Sequence, residues 1–307
     1  MPVALVCPTH RAPLSAGLAC PHGERFPARG GIPVLLADER ERAEVAAGQF
    51  QGASPLRFYN RTDDHDSYCR AELEEVRRDL ARFLAAATAE GPTLEIGSGK
   101  GALQGTGGDY VACDYSLTAL ENHLQPGHQR VCASAERLPF PDASFRFLFT
   151  VAALEHVPRA DLAFAEIDRV LAPGGVAYLL PAWHCVQWSC EGIPVRPYAD
   201  LTPRQQLIKL SLPLRRSLAW KALATFPARA LRRGLWRLRP RPTALRFTAL
   251  RPDYETFWMS DSDAAARIDS HEGCLFFASR GYDVLQPGPS ARRQLLARHH
   301  AVVARKR

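Results

Sequence analysis

LEIGSGKGA, residues 94–102, governs the reading of everything around it. A short apolar run passes into clustered glycines, the pattern of a strand that turns sharply into a loop whose backbone can approach a ligand closely. A P-loop requires Gly, four residues, then Gly-Lys-Ser/Thr. Here Lys100 precedes Gly101 and Leu94 stands five before Gly99, so that class is excluded. Gly97, Gly99 and Ala102 do satisfy the G-x-G-x-x-G/A spacing, and Asp114 ends the next apolar run, where an acidic side chain holds ribose hydroxyls. Outward from the loop, strand-length apolar runs at 93–96, 110–113, 130–132, 145–151 and 176–181 are separated by longer segments, which predicts βαβ units and a parallel sheet. Helices are predicted over 71–87, from Leu73, Val76, Leu80 and Phe83, and over 161–171, stopped by Pro173-Gly174-Gly175. A further helix is expected over 264–281, with closing strands at 284–285 and 301–304.

Two ligands compete for such a loop: a nicotinamide-type dinucleotide, or S-adenosylmethionine held by Glu95, the glycines and Asp114 at the carboxyl ends of the first two strands. The text downstream separates them. ASAERLPFPDASFRFLFTVAALEHVP (133–158) and EIDRVLAPGGVAYLLPAW (166–183) resemble the class I S-adenosylmethionine-dependent methyltransferases of the type 11, ubiquinone/menaquinone-methyltransferase-like group, and the resemblance covers about 93–183. It implies an α/β fold, a Rossmann-like sheet of seven strands with the last antiparallel and helices on both faces. It also implies S-adenosylmethionine as cofactor, with Glu95, Gly97, Ser98 and Gly99 at the methionine part, Asp114 and Tyr115 at ribose and adenine, Ser134, Ala135 and Glu136 at the adenine edge, and Thr150 beside the sulfonium. The chain departs from the pattern at Ser134 and Arg146, where many members carry Asp.

Methyl transfer from a sulfonium needs no protein nucleophile, and positioning supplies much of the acceleration. A hydroxyl acceptor needs a base. His156 in the Leu154-Glu155-His156 phrase, its neighbour Glu155, and His184 after the fifth strand are the candidates, the alternative for His156 being a hydrogen bond beneath the loop.

The first residues, Cys7-Pro8-Thr9-His10 and Cys20-Pro21-His22-Gly23 followed by GGIPVLL, resemble the zinc-ribbon-like segment of Trm112-like proteins. The resemblance implies a structural zinc on Cys7, His10, Cys20 and His22, although the second pair has Gly23 where a ligand is expected. Without metal, the segment is expected to hold by packing Ile32, Val34 and Leu35 on the main domain.

Charge is unevenly spread. The 307 residues sum to +7, yet 201–252 holds 13 Lys and Arg and no Asp or Glu, leaving −6 for the remainder. Pro213 and Pro227 are expected to divide this tract into two helices carrying Leu207, Leu210, Leu214 and Leu218, then Leu231, Leu235 and Leu238. Apolar stripes edged with Arg and Trp suit an interfacial helix on anionic lipid, here spanning 204–251. The same residues also suit RNA, or a solvated cap on the sheet. No apolar run approaches the ~20 residues of a membrane span, the eight cysteines are too sparse for a disulfide scaffold, and no basic leader precedes an apolar block. A cytoplasmic protein is expected, peripheral to the inner face of the membrane if the basic tract binds lipid. Five segments follow: a ribbon-like 1–38, a helical cap 39–90, the cofactor core 91–183, a basic acceptor lid 184–260, and closing elements 261–307. The expected activity is S-adenosylmethionine-dependent methylation of a small-molecule, glycan or lipid-linked acceptor. RNA methylation and a non-catalytic membrane or partner adaptor are the alternatives.

Overall fold

The computed structural model describes residues 2–50, 52, 54–61, 70–124, 127–183, 185–297 and 300–307. They fall into two units: Met1–Leu154, Leu162–Leu179 and Arg305–Arg307 form unit 1, and Glu155–Asp161 with Leu180–Ala304 form unit 2. The segments 1–38 and 39–90 thus lie within unit 1, and the basic tract within unit 2.

In unit 1, β1 (Ala28–Arg29) and β2 (Ile32–Pro33) pair antiparallel around Gly30-Gly31, both at positive φ, as a two-residue hairpin turn demands. The chain then runs beside the main sheet: the Leu35 N–H donates to the Cys132 carbonyl at 2.7 Å, and Ile32, Val34 and Leu35 are buried, as expected. Helix α1 (Glu39–Ala47) starts at Asp38, whose carboxylate accepts from the Glu41 N–H, and stops at left-handed Gly48. Helices α2 (Pro55–Arg61) and α3 (Arg70–Leu84) follow.

The core sheet comes next: β3 (Thr93–Ile96), β4 (Tyr110–Asp114), α4 (Leu117–Glu121), β5 (Gln129–Cys132), β6 (Phe145–Val151), α5 (Ala160–Val170) and β7 (Leu171–Leu180). β3 pairs in parallel with both β4 and β6, in the register Thr93↔Tyr110 and Thr93↔Phe147, and β4 pairs in parallel with β5. Phe145, Phe147, Leu148 and Phe149 are fully buried, which fits a strand covered on both faces. The Pro-Gly-Gly stretch lies inside β7, where a turn ahead of the strand was expected. Gly174 donates to the Lys306 carbonyl at 2.9 Å, and a Cβ on Gly175 would sit 3.0 Å from the Arg146 carbonyl, so close backbone approach is what the glycines allow.

Unit 2 is built from α6 (Gln187–Cys190), α7 (Pro203–Arg216), α8 (Leu218–Trp220), a π-helical turn over Lys221–Thr225, α9 (Phe226–Leu238), the antiparallel pair β8 (Phe247–Ala249) and β9 (Ala266–Ile268), α10 (Ser270–Ala278), β10 (Asp283–Gln286), α11 (Ala291–Leu295) and β11 (Val302–Arg305). Two expectations change here. Pro213 does not divide the tract but sits in the last turns of α7, while Pro227 occupies the first turn of α9, directly after the π-helical turn. The stretch 264–281 is a strand and then a helix, because Asp269 accepts from the His271 N–H at 2.7 Å and starts α10 there.

The seven strands form a mixed sheet in the order β10-β11-β7-β6-β3-β4-β5, the α/β arrangement expected. The chain direction across the sheet reverses between β3 and β6, and ligands of open α/β sheets bind beyond the carboxyl ends of strands at such a point. The loop at 97–101 follows β3 there.

Candidate cofactor site and a buried acid–imidazole cluster

Backbone hydrogen bonds fix the loop. Gly97 and Ser98 donate to the Cys113 carbonyl at 2.8 and 3.3 Å, and Gly99 donates to Asp114 Oδ2 at 2.8 Å. Asp114 Oδ1 accepts from the Ser116 N–H at 2.7 Å. One carboxylate therefore ties the first strand's loop to the second strand's end, and such a group has about four acceptor positions. Gly97 has no substitute: its φ is 71°, and a Cβ would lie 2.3 Å from the Ala153 Cβ. Gly101 is bound likewise, since a Cβ would meet the His123 ring at 2.2 Å.

The other expected cofactor residues divide into two groups. Ser98 and Thr150 are 4 % and 1 % exposed, and neither hydroxyl has a hydrogen-bond partner among the described residues. Buried hydroxyls are rarely left so, and both fit a ligand lying over the loop. Tyr115 donates its hydroxyl to Glu41 Oε1 at 2.8 Å, and the Ser134 hydroxyl accepts from the Glu136 N–H at 3.2 Å, shaping the Ser134-Ala135-Glu136 turn. Burial holds the Glu41 carboxyl above its ordinary range, partly offset by that tyrosine. Glu95 is the departure. It is 3 % exposed and accepts from the Tyr110 hydroxyl, because the parallel register puts Tyr110 diagonally across from it on the same face. Burial, then the Glu95 charge, drives the Tyr110 phenol well above its usual range.

Sequence reasoning missed a clamp beneath this site. Arg169 donates to the Phe140 and Leu138 carbonyls at 2.7 and 2.8 Å and pairs with Glu166 at 2.6 Å, while Glu166 accepts from the Leu138 N–H at 2.9 Å and from Arg11 at 2.9 Å. Glu166 and Arg169 thus hold the stretch 138–142 in shape.

In unit 2, Glu155 and His156 share a buried cluster. Glu155 is fully buried, its Oε1 accepts from the Ala182 N–H at 3.0 Å, and its backbone carbonyl accepts from the Ala265 N–H at 2.8 Å. His156 Nδ1 lies 3.0 Å from Asp263 Oδ2, and its Nε2 lies 3.9 Å from Glu155 Oε1. Burial pulls the His156 pKa down, but the Asp263 hydrogen bond and the Glu155 charge outweigh it and push it up to about 9. Burial also raises the carboxyls of Glu155 and Asp261. Asp263 and Asp261 were not legible as partners, being about a hundred residues downstream. His184 lies outside the described residues.

At the N-terminus of unit 1 the sulfur of Cys7, the sulfur of Cys20, His10 Nδ1 and a Glu24 carboxylate oxygen lie within 4.8 Å of one another. His10 Nδ1 is 3.6 Å from each sulfur and 2.9 Å from Glu24 Oε2. Glu24, not the expected His22, is the fourth donor-bearing side chain in this cluster. Gly23, at φ 99°, returns the chain so that Glu24 faces the sulfurs, and the His22 ring stacks on that of His10 at 4.5 Å.

Residues 94–179 match the family described as Methyltransferase domain. This stretch is similar to a methyltransferase domain. Among similar proteins, the uncharacterized protein Rv1405c of Mycobacterium tuberculosis is 27% identical over 153 residues, 46% of this chain and 54% of that protein. The ubiquinone/menaquinone biosynthesis C-methyltransferase of Rhodopseudomonas palustris is 30% identical over 112 residues, 34% of this chain and 42% of its own. A phthiotriol/phenolphthiotriol dimycocerosates methyltransferase of Mycobacterium tuberculosis is 33% identical over 112 residues, 36% of this chain and 31% of its own. The matches thus span about half or less of each relative. A putative methyltransferase structure from Bacillus halodurans is 21% identical with a TM-score of 0.33, over 44% of this chain and 67% of that one. Among the described residues no helix is long and apolar enough to cross a membrane.

Proposed function

We propose that the chain is an S-adenosylmethionine-dependent methyltransferase acting on a small-molecule or lipid-linked acceptor. The observation that carries this is the β3 loop pinned by Asp114, with the buried hydroxyls of Ser98 and Thr150 beside it, inside the stretch similar to a methyltransferase domain. Asp114 and Tyr115 would hold ribose and adenine, with the Ser134-Ala135-Glu136 turn at the adenine edge. Gly97, Ser98 and Gly99 would hold the methionine part, and Thr150 would face the sulfonium. Glu95 would act through Tyr110, stiffening the strand beneath the loop. When bound, S-adenosylmethionine supplies an electrophilic methyl whose transfer discharges the sulfonium. His156 would take the acceptor's proton at Nε2 while Asp263 holds Nδ1, and Glu155 would position the ring through its own backbone-anchored carboxylate. The two relatives named for quinone and dimycocerosate methylation support an apolar acceptor.

Calorimetric titration with S-adenosylmethionine tests the reading: micromolar binding is expected in the native protein and none in Asp114→Ala. Absence of binding by the folded native protein would refute it.

The donor set at the N-terminus fits a structural zinc. Two thiolates, one imidazole and one carboxylate are zinc ligands, and bonds of about 2.0–2.3 Å require tetrahedral donors roughly 3.3–3.8 Å apart; the 3.6 Å sulfur–nitrogen distances match this, while Glu24 Oε2, 2.8 Å from Cys7 Sγ and 2.9 Å from His10 Nδ1, would have to draw back by about half an ångström. Cys7, His10, Cys20 and Glu24 would hold it.

A further inference from the structure

We infer that the α7–α9 face of unit 2 docks on the surface of an anionic bilayer. The usual amphipathic arrangement is inverted on this face. On α9, Leu231, Leu235 and Leu238 are 65 %, 54 % and 79 % exposed, whereas Arg229 and Arg233 are only 6 % and 8 % exposed. At about 100° per residue, each arginine lies roughly 200° around the helix from Leu231, on its opposite side. Both arginines have built partners. Arg229 pairs with Asp269 at 2.9 Å and donates to the Leu295 and Ala297 carbonyls at 2.6 and 2.8 Å, and Arg233 donates to Gln294 Oε1 at 2.6 Å. Arg232, between them, pairs with Glu272 at 3.1 Å. Turning the helix to bury its leucines would strip buried guanidiniums of these partners, so the outward apolar face is fixed by the inward polar one.

A second exposed apolar stripe lies upstream. On α7, Leu207, Leu210 and Leu214, at helical spacings of three and four, are 69 %, 70 % and 58 % exposed, and Leu223 in the π-helical turn is 81 % exposed. Soluble monomers seldom expose two such aliphatic stripes, and exposed apolar patches mark interaction sites.

Charge selects the occupant. Arg204, Arg216, Arg237, Arg239 and Arg241 are exposed around the stripes, and 201–252 contains no acidic residue to oppose them. A second copy in a two-fold contact would set this cationic rim against itself. Nucleic acid would answer the arginines but not the leucines, since bases stack on aromatic rings and guanidinium planes. An anionic lipid surface answers both: headgroups meet the arginines and the acyl boundary takes the leucines, with the helices lying in the interface plane. Beside α9, an apolar groove of about 440 Å³ lined by Phe226, Pro227, Ala230 and Leu295 offers further room for acyl chain. This inference does not depend on methyl transfer.

Vesicle co-sedimentation of the full chain tests it, with phosphatidylcholine alone against phosphatidylcholine containing phosphatidylglycerol. Binding at least tenfold tighter to the anionic vesicles is expected. The triple variants L210S/L231S/L235S and R216S/R237S/R239S should each lose at least tenfold while keeping the native circular dichroism and thermal transition, because all six positions are exposed. Failure of the native chain to sediment, or unchanged sedimentation of a folded leucine variant, overturns the inference. So does a lipid-free dimer that the leucine variant disperses without any vesicle binding, or RNA retention insensitive to the leucines.

Discussion

Glu24 and His22 stand two residues apart, and only one of them faces the sulfurs of Cys7 and Cys20. Elemental analysis of purified variants is expected to find about one zinc per chain in the native protein and in His22→Ala, and well under half of that in Glu24→Ala. Zinc loss in His22→Ala with retention in Glu24→Ala would invert the assignment. The sequence makes two cysteines and His10 legible because their spacing is the knuckle itself. Glu24 was hidden because its approach depends on the left-handed conformation of Gly23, which no spacing rule encodes. The cofactor loop was the more legible site, since glycine at 97 and 99 and the acid at 114 are needed by backbone geometry that recurs. Gly97→Ala should abolish S-adenosylmethionine binding in titration, because the added methyl lies 2.3 Å from the Ala153 Cβ at a φ of 71°. Retained affinity in that variant would mean the loop does not bind the cofactor.

At the scale of elements, strands β3, β4, β6 and most of β7 could be read from their apolar runs, since strands buried on both faces leave a largely apolar trace, whereas the edge strand β5 offers only Val131 and Cys132 as buried apolar residues. What the runs do not carry is how distant stretches brace one another. Arg169 of α5 holds the loop at 138–142, and it is 9 % exposed with Glu166 at 6 %. Removing Arg169 strips the Leu138 and Phe140 carbonyls of their charged donor and leaves Glu166 with Arg11 and the Leu138 N–H alone, so Arg169→Ala should cost about 1.5–3 kcal/mol in chemical denaturation. A cost below about 1 kcal/mol would show that the clamp is incidental. The apolar periodicity of α7 and α9 was equally visible, but not which side faces inward. That depends on Asp269, Glu272 and Gln294, which lie 40 to 61 residues from the arginines they bind. On α10, His271 is fully buried with neither ring nitrogen hydrogen-bonded among the described residues. Burial foremost, and the charges of Arg229, Arg233 and Arg232, push its pKa down to about 4. The unfolded chain therefore takes up a proton near pH 6.5 that the folded chain refuses until about 4, so this group's share of stability is present above 6.5 and falls away as pH drops. Relative to the native protein, His271→Leu should gain thermal stability steadily from pH 6.5 down to 4, by on the order of 3 kcal/mol at the acid end, and be level above pH 7. A difference independent of pH would place the histidine's neutral state in doubt.

Over the whole molecule, the family match at 94–179 takes in residues of both units, Glu155–Asp161 belonging to unit 2, so on the proposed reading the cofactor residues fall in unit 1 and the acceptor's base, His156, in unit 2. That division gives a prediction in which two measurements must move independently. His156 lies in unit 2, and Asp263 is the partner that raises its pKa to about 9 against the downward pull of burial. A base acts only when unprotonated, so, if His156 is the base as proposed, turnover of the native protein on a hydroxyl acceptor should rise close to tenfold per pH unit from pH 7 and level off near 9, with about 1% of His156 neutral at pH 7. Asp263→Asn removes the charge that holds the proton, while burial and its downward pull remain. The midpoint should therefore move to lower pH by at least one unit, with a lower plateau because the imidazole is a weaker and less firmly oriented base. Affinity for S-adenosylmethionine, held by unit 1, should stay within twofold. A profile whose midpoint is unmoved by Asp263→Asn removes His156 from proton transfer and leaves it a structural ion pair, whereas loss of cofactor affinity in the same variant would mean the two units do not divide the work in this way.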